Sequence, residues 1–364
     1  MEKFSKWRDQ GTGIQPFLQP VPARSEQQGL KRLLNAAKKY VVGPVIAAVR
    51  VALLGALAVV DAATATVGGA LGVVPSVKCG WTRCTRALWA RIALLVLGFY
   101  RIDAKTVSLQ RGRRSANGKK TPSTDGGVRS GDIVVANHVS YVDVLYLVAK
   151  YTPVFVEIDN ATMFARPITP WQAIRAPAKA TPALLQATEA RPLKSITEEA
   201  RAKRLGPVVV FPENATSNGR ALLQFLPVFG EFGNLDEKTN IHVVGFKYPF
   251  QSFSPAYSVG NQAAHLFGLC CQVYNSLTVR MLASDEAPRV AESPMFCDSD
   301  AEPVDLDDAV ADRLLHLTRL RLTKMSAMDK RDFLAFYYKR TKGYGSTGST
   351  DSSARTSSGG PPTI

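Results

Sequence analysis

The chain has 364 residues, of which 46% are hydrophobic and 21% charged, enough for a sizeable core and incompatible with global disorder. Five cysteines are too few to build a disulfide scaffold of this length. The net charge of +15 is concentrated: residues 1–131 hold 21 basic and 6 acidic residues, whereas residues 132–364 hold 24 of each. One end of the molecule therefore faces something negative, either nucleic acid or an anionic membrane.

Residues 1–39 form a polar, basic segment broken by Pro16, Pro20 and Pro22. They lack the basic start, apolar run and cleavage site of a secretory signal. Residues 40–77 carry only two charges, Arg50 and Asp61. As one helix this run would measure about 57 Å, nearly twice the ~30 Å core of a bilayer. Gly68, Gly69, Gly72 and Pro75 offer bends, and basic residues flank both ends: Lys31, Arg32, Lys38 and Lys39 before, Lys78, Arg83, Arg86 and Arg91 after. Under the positive-inside rule both flanks belong to the cytosolic side. A membrane-inserted helical hairpin satisfies length and charge together; a buried soluble hairpin is the alternative, because Ala and Gly dominate the run. Residues 87–100 are too short to span and contain Arg91, so an interfacial helix and a core helix fit equally. Acidic lipid headgroups would account for the basic excess. Nucleic acid is disfavoured, because the basic loop 110–131 has no interleaved aromatic residues for stacking.

From residue 101 to 340 strands alternate with helices. Strands are expected at 133–135, 153–158, 208–211, 241–246 and 278–282, and helices at 141–149, 193–204, 261–277, 307–322 and 329–340. The alternation predicts an α/β domain with a mostly parallel central sheet flanked by helices. Residues 341–364 are Gly, Ser and Thr without apolar periodicity, the pattern of a disordered tail.

Of four histidines, His242, His265 and His316 lie within elements and read as packing residues. His138 follows the strand IVVAN at a strand-to-helix junction, where side chains emerge from the carboxyl edge of a sheet. Asp143 lies five residues on. The two meet only if His138 precedes the helix and Asp143 sits in its first turn, with Ser140 as N-cap. Ser140 and Asp143 also fit a capping-box variant with no catalytic role. A second cluster, FPENATSNGRALLQF at 211–225, leaves a buried strand. It supplies a carboxylate (Glu213), polar groups (Asn214, Thr216, Ser217, Asn218), a turn glycine (Gly219) and a cation (Arg220). It could cradle a phosphate and hydroxyls, or be an ordinary Asn-Gly turn. Cys79, Cys84, Cys270 and Cys271 read as free thiols, and no metal-ligand cluster is evident.

NHVSYVD followed by FPENATSNG resembles the glycerolipid acyltransferases, whose signature is NH-x4-D and then FPEG-T. GFKYP at 245–249 is similar to a late strand of that family, and the stretch to residue 282 resembles its lysophosphatidylcholine acyltransferase subset. The opening WRDQGTGIQPFL resembles fungal lysophosphatidic acid acyltransferases of the subset. The resemblance implies acyl transfer from acyl-CoA, as co-substrate with no bound cofactor, to a lysophospholipid hydroxyl. His138 would be the general base and Asp143 its orienting partner, with backbone N–H groups near the helix start holding the oxyanion. Lysophosphatidic acid is the expected acceptor; lysophosphatidylcholine, another lysophospholipid, glycerol 3-phosphate, or a non-catalytic lipid-binding role are the alternatives. The family glycine is Asn214 here, a residue that tolerates positive φ. The family threonine is Ala215, and a bacterial arginine is Thr216. Arg220 and Lys247 are candidate replacements for its positive charge. The implied location is the endoplasmic reticulum membrane or a lipid-droplet surface, with the catalytic side in the cytosol. Asn160 and Asn214 both begin N-x-T glycosylation patterns and so report on that sidedness.

Overall fold

The computed structural model describes residues 4–22, 38–70, 75–109, 127–178, 190–232, 239–288 and 305–346. Most of the basic loop, the candidate bend Gly72 and the chain after residue 346 lie outside them.

Residues 40–70 do not bend. After a π-helical turn, Lys38–Val42, helix α1 runs without interruption from Gly43 to Ala70, about 42 Å at 1.5 Å per residue. Gly68 and Gly69 therefore lie inside one uninterrupted helix, long and apolar enough to cross a membrane, while the expected bend at Gly72 lies outside the described residues. Helix α2 (Pro75–Val96) packs against it. Trp81 Nε1 donates to Thr64 O at 3.0 Å. A Cβ at Gly68 would stand 3.1 Å from the Trp81 ring, so this glycine serves close helix approach and not a bend. The carboxyl half of α2 divides its faces: Ala90, Ala93 and Leu94 are buried, whereas Leu88, Ile92 and Leu95 are exposed. One face of this helix is thus a core face, as expected, and the other is exposed.

Arg50 fastens α1 to the rest of the molecule. Its buried guanidinium donates to the carbonyls of Cys270 (3.0 Å), Gln272 and Val273 (3.0 Å) and to Tyr100 Oη (2.7 Å). An unpaired charge in an apolar run is costly; here three carbonyls and a hydroxyl replace its water.

The body is a seven-stranded sheet, flanked by helices, whose strands are β1 (Ile102–Val107), β2 (Ile133–Ala136), β3 (Val154–Ile158), β4 (Ala165–Ile168), β5 (Val208–Val210), β6 (Ile241–Lys247) and β7 (Leu277–Leu282). The order is β1-β7-β6-β2-β5-β3-β4. The sheet is mixed. β6, β2, β5 and β3 form a parallel block, while β7 and β4 join its edges antiparallel. The parallel block is buried on both faces and reads as continuous apolar sequence (IVVA, VVV), as parallel strands do. β1 (IDAKTV) and β4 (ARPI) were not evident in sequence because edge strands carry exposed polar residues.

Helix α3 (Tyr141–Tyr151) and the short α4 (Pro170–Arg175) pack on one face with α2. Helices α5 (Leu193–Ala202) and α7 (Leu306–Thr318) cover the other. The expected helix 261–277 is only α6, Gln262–Cys270. The helix expected to reach 322 ends at Thr318, where Arg319 turns left-handed at φ 57°. α8 spans Ala327–Ser346. The opening segment is folded onto it: Trp7 and Phe17 pack on Phe333 with ring centroids 5.4 and 5.5 Å apart. Asp9 is buried, accepting from Lys324 N at 3.0 Å and Thr12 N at 2.8 Å. A segment read as a polar arm is thus part of a third core.

Candidate active site

β2 and β5 are parallel neighbours, with Val135 opposite Val210. Their carboxyl ends therefore deliver the two sequence clusters, 75 residues apart, to one place. Asn137 fixes the first of these ends by exchanging hydrogen bonds with Phe246 of β6, donating from Nδ2 at 3.1 Å and accepting at Oδ1 at 2.7 Å.

His138 lies in the turn and Asp143 in the first turn of α3, as the spacing required. His138 Nδ1 lies 3.2 Å from Asp143 Oδ2. A carboxylate only accepts, so Nδ1 is the donor of this pair, and in the neutral ring Nε2 is then the nitrogen with the lone pair. Asp143 is fully buried. Its Oδ2 also accepts from Val139 N (2.7 Å) and Ser140 N (2.8 Å), and its Oδ1 accepts from the Tyr248 hydroxyl. Burial, then the neighbouring Asp143 charge, push the Tyr248 hydroxyl well above its ordinary range, so it remains a donor. The capping box is present as well. The structural and functional readings of Asp143 therefore coincide: one carboxylate caps the helix and holds the ring. The imidazole also stacks on Phe211, 4.1 Å between centroids at 17°.

The same geometry occupies three of the N–H groups at the helix start where an oxyanion was expected to bind. The N–H groups of Val139 and Ser140 are spent on Asp143, and that of Val142 on Ser140 Oγ. These donors at the start of α3 are not available to an oxyanion.

Residues of the second cluster separate by role. Glu213 is fully buried, accepting from His138 N at 3.0 Å and Leu223 N at 2.9 Å. Burial pushes its carboxyl up to about 8, against the pull of those N–H groups and of Lys330. It clasps the two motifs together and does not line the cavity described below. Asn214 adopts φ 47°, the left-handed backbone expected where the family has glycine, and its Nδ2 donates to Ile158 O (2.8 Å) and Asn160 Oδ1 (3.0 Å). Ser217 N donates to His138 O at 3.0 Å. Gly219, at φ 71°, is a close-approach position, since a Cβ would meet Val139 at 3.0 Å. Asn218 binds the opening segment, donating from Nδ2 to Gln15 O (2.7 Å) and Leu18 O (2.9 Å). Arg220 and Lys247 are exposed and lie outside the cavity lining.

A cavity of about 340 Å³ opens beside His138. Phe155, Val156, Ile168, Ala173, Ala176, Pro177, Phe211 and Ala215 give it an apolar wall, and His138, Asn214, Thr216, Glu157, Arg166 and Lys330 its polar groups. Sequence reasoning missed Lys330 and Tyr248. Lys330 had a signal: with Phe333, Leu334 and Tyr337 it occupies i, i+3, i+4 and i+7 of α8, an apolar stripe in which a lysine is out of place. Tyr248 lies in the quoted GFKYP stretch but had no partner until Asp143 came to it. Of the remaining histidines, His265 is a packing residue. It is held by Tyr141 Oη and Ser254 O, and burial drops its pKa to about 4. His242 and His316 pair with Asp132 and Asp312, each at 3.2 Å.

No family model matches the chain. Over 340 residues, 92% of this chain and 97% of the relative, it is 26% identical to a Schizosaccharomyces pombe protein to which lysophosphatidic acid:oleoyl-CoA acyltransferase activity is provisionally ascribed. It is 27% identical over 227 residues to the lysophospholipid acyltransferase LPEAT1 of Arabidopsis thaliana, covering 55% of this chain and 52% of that one. The crystal structure of the 1-acyl-sn-glycerophosphate acyltransferase PlsC from Thermotoga maritima aligns with a TM-score of 0.33 and 16% identity, over 84% of this chain and all of that one. The resemblance to glycerolipid acyltransferases thus extends beyond the two motifs, to nearly the full length of a fungal relative.

Proposed function

We propose that the protein is an acyl-CoA-dependent acyltransferase that acylates a lysophospholipid, with lysophosphatidic acid as the first candidate acceptor. The observation that carries the reading is the His138–Asp143 pair. It leaves a basic Nε2 on a ring that lines a cavity walled by apolar residues. The sequence similarity to two lysophospholipid acyltransferases supports it.

In this mechanism the acceptor hydroxyl attacks the thioester carbonyl while its proton passes to His138 Nε2. The tetrahedral adduct collapses with cleavage of the C–S bond, and the imidazolium returns the proton to the departing CoA sulfur. Asp143 orients the ring through Nδ1 and stabilises the transient imidazolium without taking its proton. No enzyme nucleophile takes part. The apolar wall suits an acyl chain. It borders the apolar helices: Trp171 of α4, which precedes cavity residues Gln172 and Ala173, packs tilted against Trp89 of α2 with ring centroids 4.8 Å apart and donates to Asp61 of α1 at 3.1 Å. A lipid held among α1 and α2 would therefore lie beside the cavity wall. We place the exposed apolar surface of α1 in a membrane, the endoplasmic reticulum or a lipid-droplet surface, with residues 101–340 as the catalytic domain on the cytosolic side and acidic headgroups as partners of the basic flanks.

The test is transfer of labelled oleate from oleoyl-CoA to a panel of lysophospholipids by the purified full-length protein. Product with at least one acceptor, lost in His138→Ala, is expected. Transfer to none, or wild-type turnover in the alanine variant, would overturn the reading.

A further inference from the structure

Lys330 is a buried lysine that lines the cavity and that the mechanism above leaves unused. It comes from α8, far in sequence from both motifs, and is 3% exposed. Its Nζ donates to Thr216 O at 2.8 Å and to Thr216 Oγ1. No carboxylate is within ion-pairing distance of it among the described residues, although the ammonium has a third N–H to give. Burying such a cation beside neutral oxygens is unfavourable unless something negative joins it. Burial draws its pKa down to about 7, with the charge of Glu213 opposing the shift.

Its neighbours limit what can join it. Among the described residues, the cavity beside Lys330 is lined by one other cationic side chain, Arg166, which is paired to Glu157 at 2.8 Å. When protonated, Lys330 therefore supplies the cavity lining with a positive charge that no described ion pair neutralises. That charge is set against the base by the chain itself: Lys330 binds the carbonyl of Thr216, and the next residue, Ser217, donates to the carbonyl of His138 at 3.0 Å. A molecule with an anion and a hydroxyl a few bonds apart can engage both groups at once.

We infer that Lys330 binds the phosphate of the acceptor and thereby presents the acceptor hydroxyl to His138. The inference rests on the acyltransferase reading and narrows it to acceptors bearing phosphate close to the reacting hydroxyl. Acyl-CoA also carries phosphates, so the source of the anion must be separated experimentally. It assigns to a C-terminal lysine the cationic role for which Arg220 and Lys247 were candidates, both of them exposed and outside the cavity.

The experiment compares wild type, Lys330→Met and Lys330→Gln as full-length purified proteins. One arm measures KM and kcat for lysophosphatidic acid, for a monoacylglycerol of the same chain length, and for oleoyl-CoA. Loss of a charge-assisted phosphate contact should raise KM for lysophosphatidic acid about 10–100-fold. KM for oleoyl-CoA should stay close to wild type, and the preference for lysophosphatidic acid over monoacylglycerol should collapse. A second arm needs no turnover: inorganic phosphate should raise the Tm of wild type and not that of either variant. A raised KM for oleoyl-CoA in place of the acceptor, equal losses with both acceptors, or a phosphate-induced Tm rise retained in the variants would each overturn the inference. If wild type acylates nothing, the acyltransferase reading fails, and the phosphate arm still decides whether Lys330 is an anion site. If the methionine variant fails to fold, the glutamine variant, which keeps a donor for Thr216, carries the comparison.

Discussion

Replacing Asp143 by Asn probes the proposed chemistry with little damage to the fold. Asp143 Oδ2 accepts three N–H donors, from the His138 ring, Val139 and Ser140, while Oδ1 accepts from Tyr248. An asparagine carbonyl in the Oδ2 place can still accept all three, with its NH2 turned to Tyr248, whose hydroxyl can rotate and accept. The turn then survives, at a cost of about 1–3 kcal/mol for exchanging a charged acceptor for a neutral one. What disappears is the negative charge beside a ring that becomes cationic in the transition state. The opposite amide orientation would drive the ring to its other tautomer and remove the base altogether. Both outcomes converge on kcat, which should fall ~10²–10⁴-fold, the usual worth of general-base catalysis, or about 2.7–5.4 kcal/mol of activation free energy. The assay is transfer of oleate to lysophosphatidic acid at saturating concentrations of both substrates, with a thermal unfolding curve on the same preparation. A folded variant with near wild-type kcat would refute the pairing of base and carboxylate.

Other expectations are smaller or concern stability. Tyr248→Phe removes one donor from Asp143 and should lower kcat more mildly than Asp143→Asn, by roughly tenfold for a bond worth about 1.5 kcal/mol; an unchanged kcat would exclude Tyr248 from the groups that position Asp143. Asn214→Ala keeps neither the tolerance for φ 47° nor the two side-chain bonds, and should unfold at lower denaturant than wild type by about 2–3 kcal/mol, with Asn214→Gly falling between. Burial raises the Asp307 carboxyl to about 6, against the N–H groups of Phe229 and Val228. A raised acid favours folding when protonated, so this contribution is full below its unfolded value near 4 and is lost as pH rises through about 6. Asp307→Asn should accordingly raise Tm at pH 8 and lose that advantage toward pH 4; an equal effect at both values would contradict the assignment. In sealed microsomes both Asn160 and Asn214 should stay free of glycan, and deletion of residues 40–77 should abolish membrane association. A glycan on either asparagine would reverse the proposed sidedness.

What could be read in the sequence, and what could not, divides along contact distance. The parallel block was legible because strands buried on both faces must be apolar throughout, and VVV between a Gly-Pro break and a polar loop admits little else. The His138–Asp143 pair was legible because its geometry is local: five residues, one turn and one N-cap settle it. The edge strands β1 and β4 were not, since their pattern is that of an exposed loop and only β7 and β3 make them strands. The extent of α1 was not legible because the glycines near its end resemble bends; Gly68 instead admits Trp81, a residue on another helix.

The polar residues of the second cluster show the same limit in a more consequential form. From the sequence, Glu213, Ser217, Asn218 and Arg220 were equal candidates to touch a substrate, because a polar loop after a buried strand does not reveal which side chains turn inward. In the fold they are spent on structure or turned outward. Glu213 closes on the His138 backbone, Ser217 on the His138 carbonyl, and Asn218 on an opening segment 200 residues away. The loop thus acts as the frame that fixes the base, while the cavity receives its charge from Lys330 at the far end of the chain. Each of these contacts joins residues at least 75 positions apart. Only the sheet topology, with β2 beside β5, makes them neighbours. For the same reason, substitutions at Glu213 or Asn218 should disturb both substrates alike through the frame, whereas Lys330 should discriminate between them. Kinetics with each substrate varied separate a framing residue from a binding one: equal changes in both KM values at Lys330, or an acceptor-only change at Glu213, would invert the roles assigned here.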